Sequence, residues 1–478
     1  MTMRKLTNAS WFMACGLVLG GCEPSPSTPP KPAQSSVLIV VIDTLRADAV
    51  GSLGASRPLT PQMDAVADAG VSFTDVTAEG SWTWPSHATL FTGVPPWEHG
   101  AHFAPLDEPM GDSFPSMRAD LPTLAEKFSD AGYKTISLSA NCLLDKDSSL
   151  VRGFDSARCL DAPGKVEAAV DQLLKQPADK PLFLFVNLMP AHSPYSLTPA
   201  PWAQKHKPRV LGTDKADWLL PYLVTSPPGI DLQLREKEDA MTGIQAYLGG
   251  TLTITPTDFS MIRDLYEGEV LEADRRLNTV LSAWTAKHGT GIVAVTSDHG
   301  EAFGEHGQVD HRSSVYGAVT WIPMIISAPG SLAGGKKITT PVQLGDLGDT
   351  VLSLAKLPGP HPRSLLPVVA GAPREGPILS MAWADPYRAS TVGGRFSEDW
   401  MLYRTGNEAL VYSSSGAAEL YDTAADRLML QDLAAQYPER VAALLSEATH
   451  AFPRAATTVR EPLTKDVEQR LKELGYLE

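Results

Sequence analysis

The stretch Val37-Leu38-Ile39-Val40-Val41-Ile42-Asp43 decides the fold: six consecutive apolar residues, most of them β-branched, run straight into a carboxylate. A run of that length with no polar alternation predicts a strand buried on both faces, as in a parallel sheet. Similar runs recur at Thr135-Ile136-Ser137-Leu138, Leu182-Phe183-Leu184-Phe185-Val186, Ile292-Val293-Ala294-Val295 and Pro323-Met324-Ile325-Ile326. Helical patterns lie between them at about 60–69, 121–131, 164–175, 257–287 and 346–356. Strands alternating with helices predict an α/β domain on a mostly parallel sheet, here residues 37–372. From about residue 375 the strands shorten (Trp400 to Tyr403, Leu410 to Tyr412) and a helix follows near 436–450, which predicts a small α+β subdomain over 373–478. Residues 203–255 are proline-rich and irregular, and suit either an excursion that shapes a pocket or a plain surface insertion.

Composition narrows the partners. The chain has 478 residues, 43% hydrophobic and 20% charged, with a formal net charge of −15. Such a charge argues against nucleic acid or anionic lipid, and leaves an anionic substrate to be held by a metal and local cations. Residues 1–22 carry Arg4 and Lys5, then an apolar run too short to span a membrane, then Leu19-Gly20-Gly21-Cys22. That ending is similar to a bacterial lipobox, which implies cleavage before Cys22, lipidation of that cysteine and an envelope protein facing the periplasm, touching membrane only through its anchor. The alternative is an ordinary cleaved signal peptide. Residues 23–36 then read as a Pro/Ser-rich tether. Of the remaining cysteines, Cys142 and Cys159 either form a disulfide, adding about 3 kcal/mol in the chain-entropy model, or stay as two buried thiols.

In open α/β sheets ligands bind beyond the carboxyl ends of the strands. Asp43 follows the first strand. Thr296-Ser297-Asp298-His299-Gly300-Glu301, then Gly304-Glu305-His306-Gly307 and Asp310-His311, follow the fourth. Carboxylates and imidazoles at two strand ends can converge on one cation. A second segment, Thr83-Trp84-Pro85-Ser86-His87-Ala88-Thr89-Leu90-Phe91-Thr92-Gly93, reads as a hydroxyl nucleophile at a helix start. Pro85 suits the first turn and pushes Trp84 toward extended geometry, which places Thr83 just before or at the cap. Unpaired N–H groups there would stabilise an oxyanion; the competing reading is that Thr83 only caps the helix. Trp82, Trp84 and Trp97 either wall the pocket or pack the core.

These segments resemble the sulfatase family of the alkaline-phosphatase superfamily. Sulfatases carry C-x-P-S-R-x-x-x-x-T-G at the nucleophile, and this chain keeps Pro85, Ser86, Thr92 and Gly93. The resemblance continues in Phe185 to Tyr195, whose His192 matches an anion-binding histidine, in Tyr266-Glu267-Gly268-Glu269 followed by Asp274, in Glu419-Leu420-Tyr421-Asp422 and in the ending Leu474-Gly475-Tyr476-Leu477. It implies an alkaline-phosphatase/sulfatase-like fold, one divalent metal ion held by Asp43, Asp298 and His299, and hydrolysis of a small-molecule, glycan or lipid-headgroup anionic ester. The departures matter as much. Thr83 stands for the cysteine that becomes formylglycine, Thr44 for a second Asp, His87 for the motif arginine, and His311 near a lysine. With Thr83 as fourth ligand the mixed O/N set favours zinc or manganese, with calcium possible. Thr83 is expected to attack as an unmodified hydroxyl and form a covalent ester, with His192, His311 and His87 as anion-holding or proton-moving groups; Arg46 is either a substrate contact or the partner of a nearby acid, and His306 either a substrate contact or a turn residue. Threonine tilts the expectation toward phosphoesters or phosphonates. The alternatives are a phosphoethanolamine- or phosphoglycerol-type transferase, or an inactive anion- or glycan-binding lipoprotein.

Overall fold

The five strands expected between residues 37 and 326 join four others in one nine-stranded sheet. The computed structural model describes residues 34–103, 106, 113–207, 244–289, 291–452, 459–462 and 465. The expected signal segment, most of the tether, residues 208–243 of the excursion and the Leu474–Leu477 ending lie outside them.

Strands β1 (Val37–Ile42), β2 (Val71–Thr77), β3 (Lys134–Ser139), β4 (Ser156–Cys159), β5 (Leu182–Leu188), β6 (Ile292–Thr296), β7 (Trp321–Ser327), β8 (Lys336–Ile338) and β9 (Val342–Gln343) make this sheet. Their order is β8-β2-β7-β6-β1-β5-β3-β4, with β9 also paired to β2. β1 lies parallel between β5 and β6, and β3 is parallel to β4 and β5. β7 corrects the expectation of one more parallel strand: it is antiparallel to both β2 and β6. Only the four-residue turn of helix Gly317–Thr320 stands near the end of the link from β6 to β7, so the chain doubles back without the crossover helix that a parallel return needs. β2 was not expected because Val71-Ser72-Phe73-Thr74-Asp75-Val76-Thr77 mixes polar residues into its apolar positions.

The pleat divides β1 between two cores. Val37, Ile39 and Val41 face one, with α2 (Thr83–Thr92), α3 (Leu124–Asp130) and α6 (Asp346–Leu354) supplying Leu90, Phe91, Phe128, Leu347 and Val351. Leu38, Val40 and Ile42 face the other, with α1 (Pro61–Asp68), α4 (Lys165–Leu174) and α5 (Pro256–His288) supplying Met63, Val170, Leu265, Val270 and Leu277. Each fully buried aliphatic side chain contributes roughly 1.5–3 kcal/mol, so burial on both faces fixes β1 as the centre. α5 begins in a capping box: Asp258 N donates to the Thr255 hydroxyl while Thr255 N donates to the Asp258 carboxylate. Beyond β9, strands β10 (Ile378–Ala382), β11 (Trp400–Thr405), β12 (Glu408–Ser413) and β13 (Ala418–Asp422) form a separate antiparallel meander. Helix α7 (Pro386–Thr391) lies between β10 and β11, and α8 (Pro438–Ala451) packs Leu444 and Ala448 against Tyr403, Leu410 and Leu420. Cys142 and Cys159 are joined as a disulfide, which fastens the turn after β3 to the end of β4.

Candidate active site

Three polar residues occupy the carboxyl ends of adjacent central strands β1 and β6. Asp43, Asp298 and His299 are each fully buried, and one ligand atom from each lies within 4.8 Å of the others. The surrounding hydrogen bonds leave one atom per residue unspent. Asp43 Oδ2 accepts from Asn141 Nδ2 (3.1 Å) and Asn187 Nδ2 (3.2 Å), whereas Oδ1 has no hydrogen-bond partner among the described residues. Asp298 Oδ1 accepts from His299 N (3.0 Å) and Thr44 N (3.3 Å), and Oδ2 is left over. His299 Nδ1 donates to the Gly300 carbonyl (3.0 Å), which fixes the tautomer and leaves Nε2 unpartnered, 3.4 Å from Asp298 Oδ2. Buried polar atoms are almost always satisfied. Three convergent orphans, two carboxylate oxygens and an imidazole nitrogen, fit a divalent cation.

Electrostatics agree. Burial opposes charge on Asp43, but His192, His299, His87 and the Asn141 amide outweigh it and hold its carboxyl below the ordinary value. Burial and the neighbouring Asp43 charge push Asp298 well above its ordinary value. Burial and nearby His311 press His299 well below the usual imidazole value, so it is neutral and able to ligate. Thr44 sits at φ +58°, a costly conformation for a β-branched residue. Its hydroxyl lies 2.7 Å from both the Asp43 and the Ala191 carbonyls and shares its one proton between them, which turns it away from the cluster and leaves its N–H to orient Asp298. Gly300 is required, since a Cβ there would collide with the Ala318 carbonyl.

Thr83 is the first residue of α2 and is fully buried, with Trp82 as the extended N-cap. This corrects the expectation in two respects: Thr83 is not the cap, and Trp84 is helical rather than extended, because the helix starts two residues ahead of Pro85. Asn141 Nδ2 reaches Thr83 Oγ1 at 3.3 Å while also holding Asp43. One turn on, His87 Nδ1 donates to the Thr83 carbonyl (2.9 Å), lies 3.5 Å from Asp298 Oδ2, and leaves Nε2 buried and unpartnered. Burial lowers the His87 pKa against the pull of Asp43.

His192 and His311 stand beside this cluster. Their rings meet edge to face at 5.2 Å, and His311 lies 4.4 Å from the His299 ring. His192 Nδ1 is hydrogen-bonded to the Ser193 carbonyl. His311 Nδ1 lies 2.8 Å from Asp310 Oδ1 and 3.4 Å from Glu301 Oε1. Glu301, Asp310 and His311 also form an acidic/imidazole group, but their carboxylates are engaged, Glu301 also with Tyr195 and Asp310 also with Arg388. That group holds an imidazole rather than offering vacant ligand atoms.

Two expected substrate contacts lie elsewhere. The buried Arg46 guanidinium is engaged by Asp48, Glu305 (2.7 Å) and the Glu301 carbonyl (2.8 Å), so it braces the 301–305 turn. Its charge is raised in stability by those carboxylates against the cost of burial. His306 stacks on Tyr316 at 3.6 Å, outside the Asp43 cluster, at the tip of the pair Ala302–Phe303 and Val309–Asp310. Trp82 stacks on Phe103, Trp84 Nε1 donates to the Pro115 carbonyl and Trp97 packs on Phe452, so all three belong to the core. Sequence reasoning did not single out Asn141 or Asn187. Both sit at the ends of parallel strands β3 and β5, and the strand-end rule extended to neutral amides would have found them.

The fold is of the alkaline-phosphatase type, and the cluster offers the ligand atoms that a metal-dependent ester hydrolase of that class would use. The family model for sulfatases matches residues 35–357, and the chain belongs to that family, whose members hydrolyse sulfuric or phosphoric esters. It is 23% identical over 422 residues to the Delta 4,5-hexuronate-2-O-sulfatase of Bacteroides thetaiotaomicron, covering 81% of this chain and 82% of the relative. Among solved structures it is similar to the phosphonate monoester hydrolase of Agrobacterium radiobacter (TM-score 0.62, 19% identity, 91% of this chain and 99% of that one). It also resembles a protein solved with its substrate D-glucosamine-2-N,6-O-disulfate (TM-score 0.62, 17% identity, 88% and 98% covered).

Proposed function

We propose that this protein hydrolyses an anionic ester through the unmodified hydroxyl of Thr83, with phosphate esters or phosphonates favoured over sulfate esters. The observation that carries the reading is the position of Thr83 Oγ1 at a helix N-terminus, 3.3 Å from an amide that also grips Asp43. Asp43, Asp298, His299 and Thr83 would hold the cation, and their mixed donors suit zinc or manganese better than calcium. When bound, such an ion lowers the pKa of an adjacent hydroxyl and neutralises non-bridging oxygens of the ester.

The chain's own groups do the rest. Thr83 Oγ1 gives its proton to water and attacks the phosphorus or sulfur in line; the new O–P or O–S bond forms as the bond to the alcohol oxygen breaks. Asn141 Nδ2 steadies the Thr83 oxygen, and the positive end of the α2 dipole favours the developing charge. His192 and His311 hold the oxyanion, and one of them protonates the departing oxygen. His87, tied to the Thr83 carbonyl through Nδ1, stands beside Asp298 at the same centre. Water then cleaves the threonyl ester and regenerates the hydroxyl. Substrates are small-molecule, glycan or lipid-headgroup esters, and a lipid at Cys22 would hold the enzyme on the envelope facing the periplasm.

The test is turnover of paired aryl phosphate, phosphodiester, phosphonate and sulfate substrates with zinc, manganese or calcium. Phosphorus-ester turnover that falls at least about 10³-fold in Thr83→Ala with metal retained is expected. Turnover confined to the sulfate overturns the substrate preference, and undiminished turnover in Thr83→Ala overturns the nucleophile. An Asp298→Asn protein that keeps both metal and full activity overturns the metal centre.

A further inference from the structure

The loop that carries His311 is built against the grain of its backbone. Asp310 and Arg312, the two residues that flank His311, have φ of +73° and +88°, conformations that non-glycine residues adopt only when their surroundings enforce them. Two sets of contacts do so. Arg312 N donates to the Ser81 carbonyl (2.9 Å) and the Ser81 hydroxyl donates back to the Arg312 carbonyl, which registers the loop on the segment leading to Thr83. On the other side stands Arg388, 2% exposed, on α7.

The Arg388 fork grips two points of one assembly. Its NH1 donates to the His311 carbonyl (2.8 Å), and its NH2 donates to Asp310 Oδ2. The other oxygen of that carboxylate, Oδ1, accepts from His311 N (2.8 Å) and lies 2.8 Å from His311 Nδ1. Guanidinium, carboxylate, imidazole and peptide thus close a ring. An ionised carboxylate only accepts, so Asp310, with Glu301 Oε1 at 3.4 Å, holds the proton on Nδ1, and the ring so fixed packs beside those of His192 and His299. A planar, two-pronged donor holds a carbonyl and a carboxylate in one fixed geometry, which a lysine ammonium matches only in part. Helix α7 is itself locked by Asp385, whose carboxylate accepts from Tyr387 N and Arg388 N (both 3.1 Å).

We infer that Arg388, acting through Asp310, is a positioning residue that sets the tautomer and aim of His311 for its work on the leaving oxygen. The inference rests on the reading of His311 given above as a group that faces substrate. It assigns a functional part to a short helix next to the small antiparallel sheet, outside every motif in the sequence.

The experiment compares wild type with Arg388→Met, Arg388→Lys, Asp310→Asn and His311→Ala, as metal-replete full chains. Rates are read on the 4-nitrophenyl and phenyl esters of whichever acid wild type hydrolyses, alongside melting temperature and nitrogen-15 NMR of labelled histidines. Arg388→Met and Asp310→Asn are expected to lower kcat on the phenyl ester about 10–100-fold. The 4-nitrophenyl ester, whose leaving group needs no proton, falls far less, and KM stays put. The NMR signature of an Nδ1-protonated His311 is lost in both, and Arg388→Lys recovers part of the rate. Equal losses on the two esters, or an unchanged His311 signature, overturn the inference. If Arg388→Met does not fold, Asp310→Asn decides it. If His311→Ala leaves phenyl-ester turnover intact, the reading of His311 has failed instead, whatever Arg388 does.

Discussion

Asn141 is the side chain on which the two halves of the site meet, because one amide nitrogen touches both Asp43 and Thr83. Its backbone is fixed as the cap of the turn Cys142–Leu144, where its Oδ1 accepts from Leu143 N (3.1 Å). The amide is thereby committed to donate toward the site. Asn141→Ala should lower kcat by about 10²–10³, the usual cost of losing one donor aimed at a reacting oxygen. Metal content should be nearly unchanged, since Asn187 still holds Asp43 Oδ2; rate and metal analysis on the same preparation check both. At this scale the sequence was most legible where residue type and strand end coincide. Asp43, Asp298 and His299 follow continuous apolar runs, and nothing local explains them. Arg46 read either as an anion contact or as the partner of a nearby acid, and it is engaged as the second, by Asp48 two residues on and by Glu305 259 residues away. Arg388 was silent, since its meaning lies wholly in a tertiary contact with residue 310.

Helices and strands carry a different kind of information. α5 shows it at Asp274, whose carboxylate accepts from Gln62 N (3.0 Å) and Met63 N (3.0 Å) at the first turn of α1, a place where negative charge suits the helix dipole. Burial, helped by Asp64, nonetheless raises this carboxyl to about 6 against those hydrogen bonds. A carboxyl with a higher pKa folded than unfolded binds its proton more tightly in the native state. Its favourable contribution is therefore full below about 3.9, the ordinary value, and is lost as pH rises to about 6. Asp274→Asn, which keeps an acceptor, should flatten the decline of melting temperature between those limits; superimposable pH profiles for variant and wild type would contradict this. Element type was readable from periodicity, and the runs at 37–42, 182–186 and 292–295 all became strands. Direction was not. A buried antiparallel strand such as β7 and a buried parallel one present the same continuous apolar run, and only the absence of a long helix before residue 321 distinguishes them.

Across the molecule, the nine-stranded sheet and the small meander are stitched by a buried charge cluster. Asp75 on β2 accepts both prongs of Arg404 on β11 (2.7 and 2.6 Å) and pairs with Arg427 as well; Asp75 and Arg404 are each 3% exposed. Removing one member of a buried pair strands its partner's charge. Asp75→Ala should cost about 3–5 kcal/mol, seen as a lower denaturant midpoint, whereas the double variant Asp75→Ala, Arg404→Ala should cost less than the sum of the singles. Additive losses would show that the pair is not coupled.

The strand order also sets a schedule. Neighbouring strands β3, β5, β1 and β6 each deliver a residue to one point, yet the chain makes them far apart, and the contact between Thr44 and Asp298 spans 254 positions. Contacts of such separation form late, after the loops between them have closed. A chain emerging from synthesis therefore carries Asp43, Thr83 and Asn141 without a place for a cation until residues 298 and 299 arrive and β6 docks beside β1. On the proposed reading, this cluster can hold a cation only once β6 has docked beside β1, so topology alone keeps a shorter chain from being loaded there.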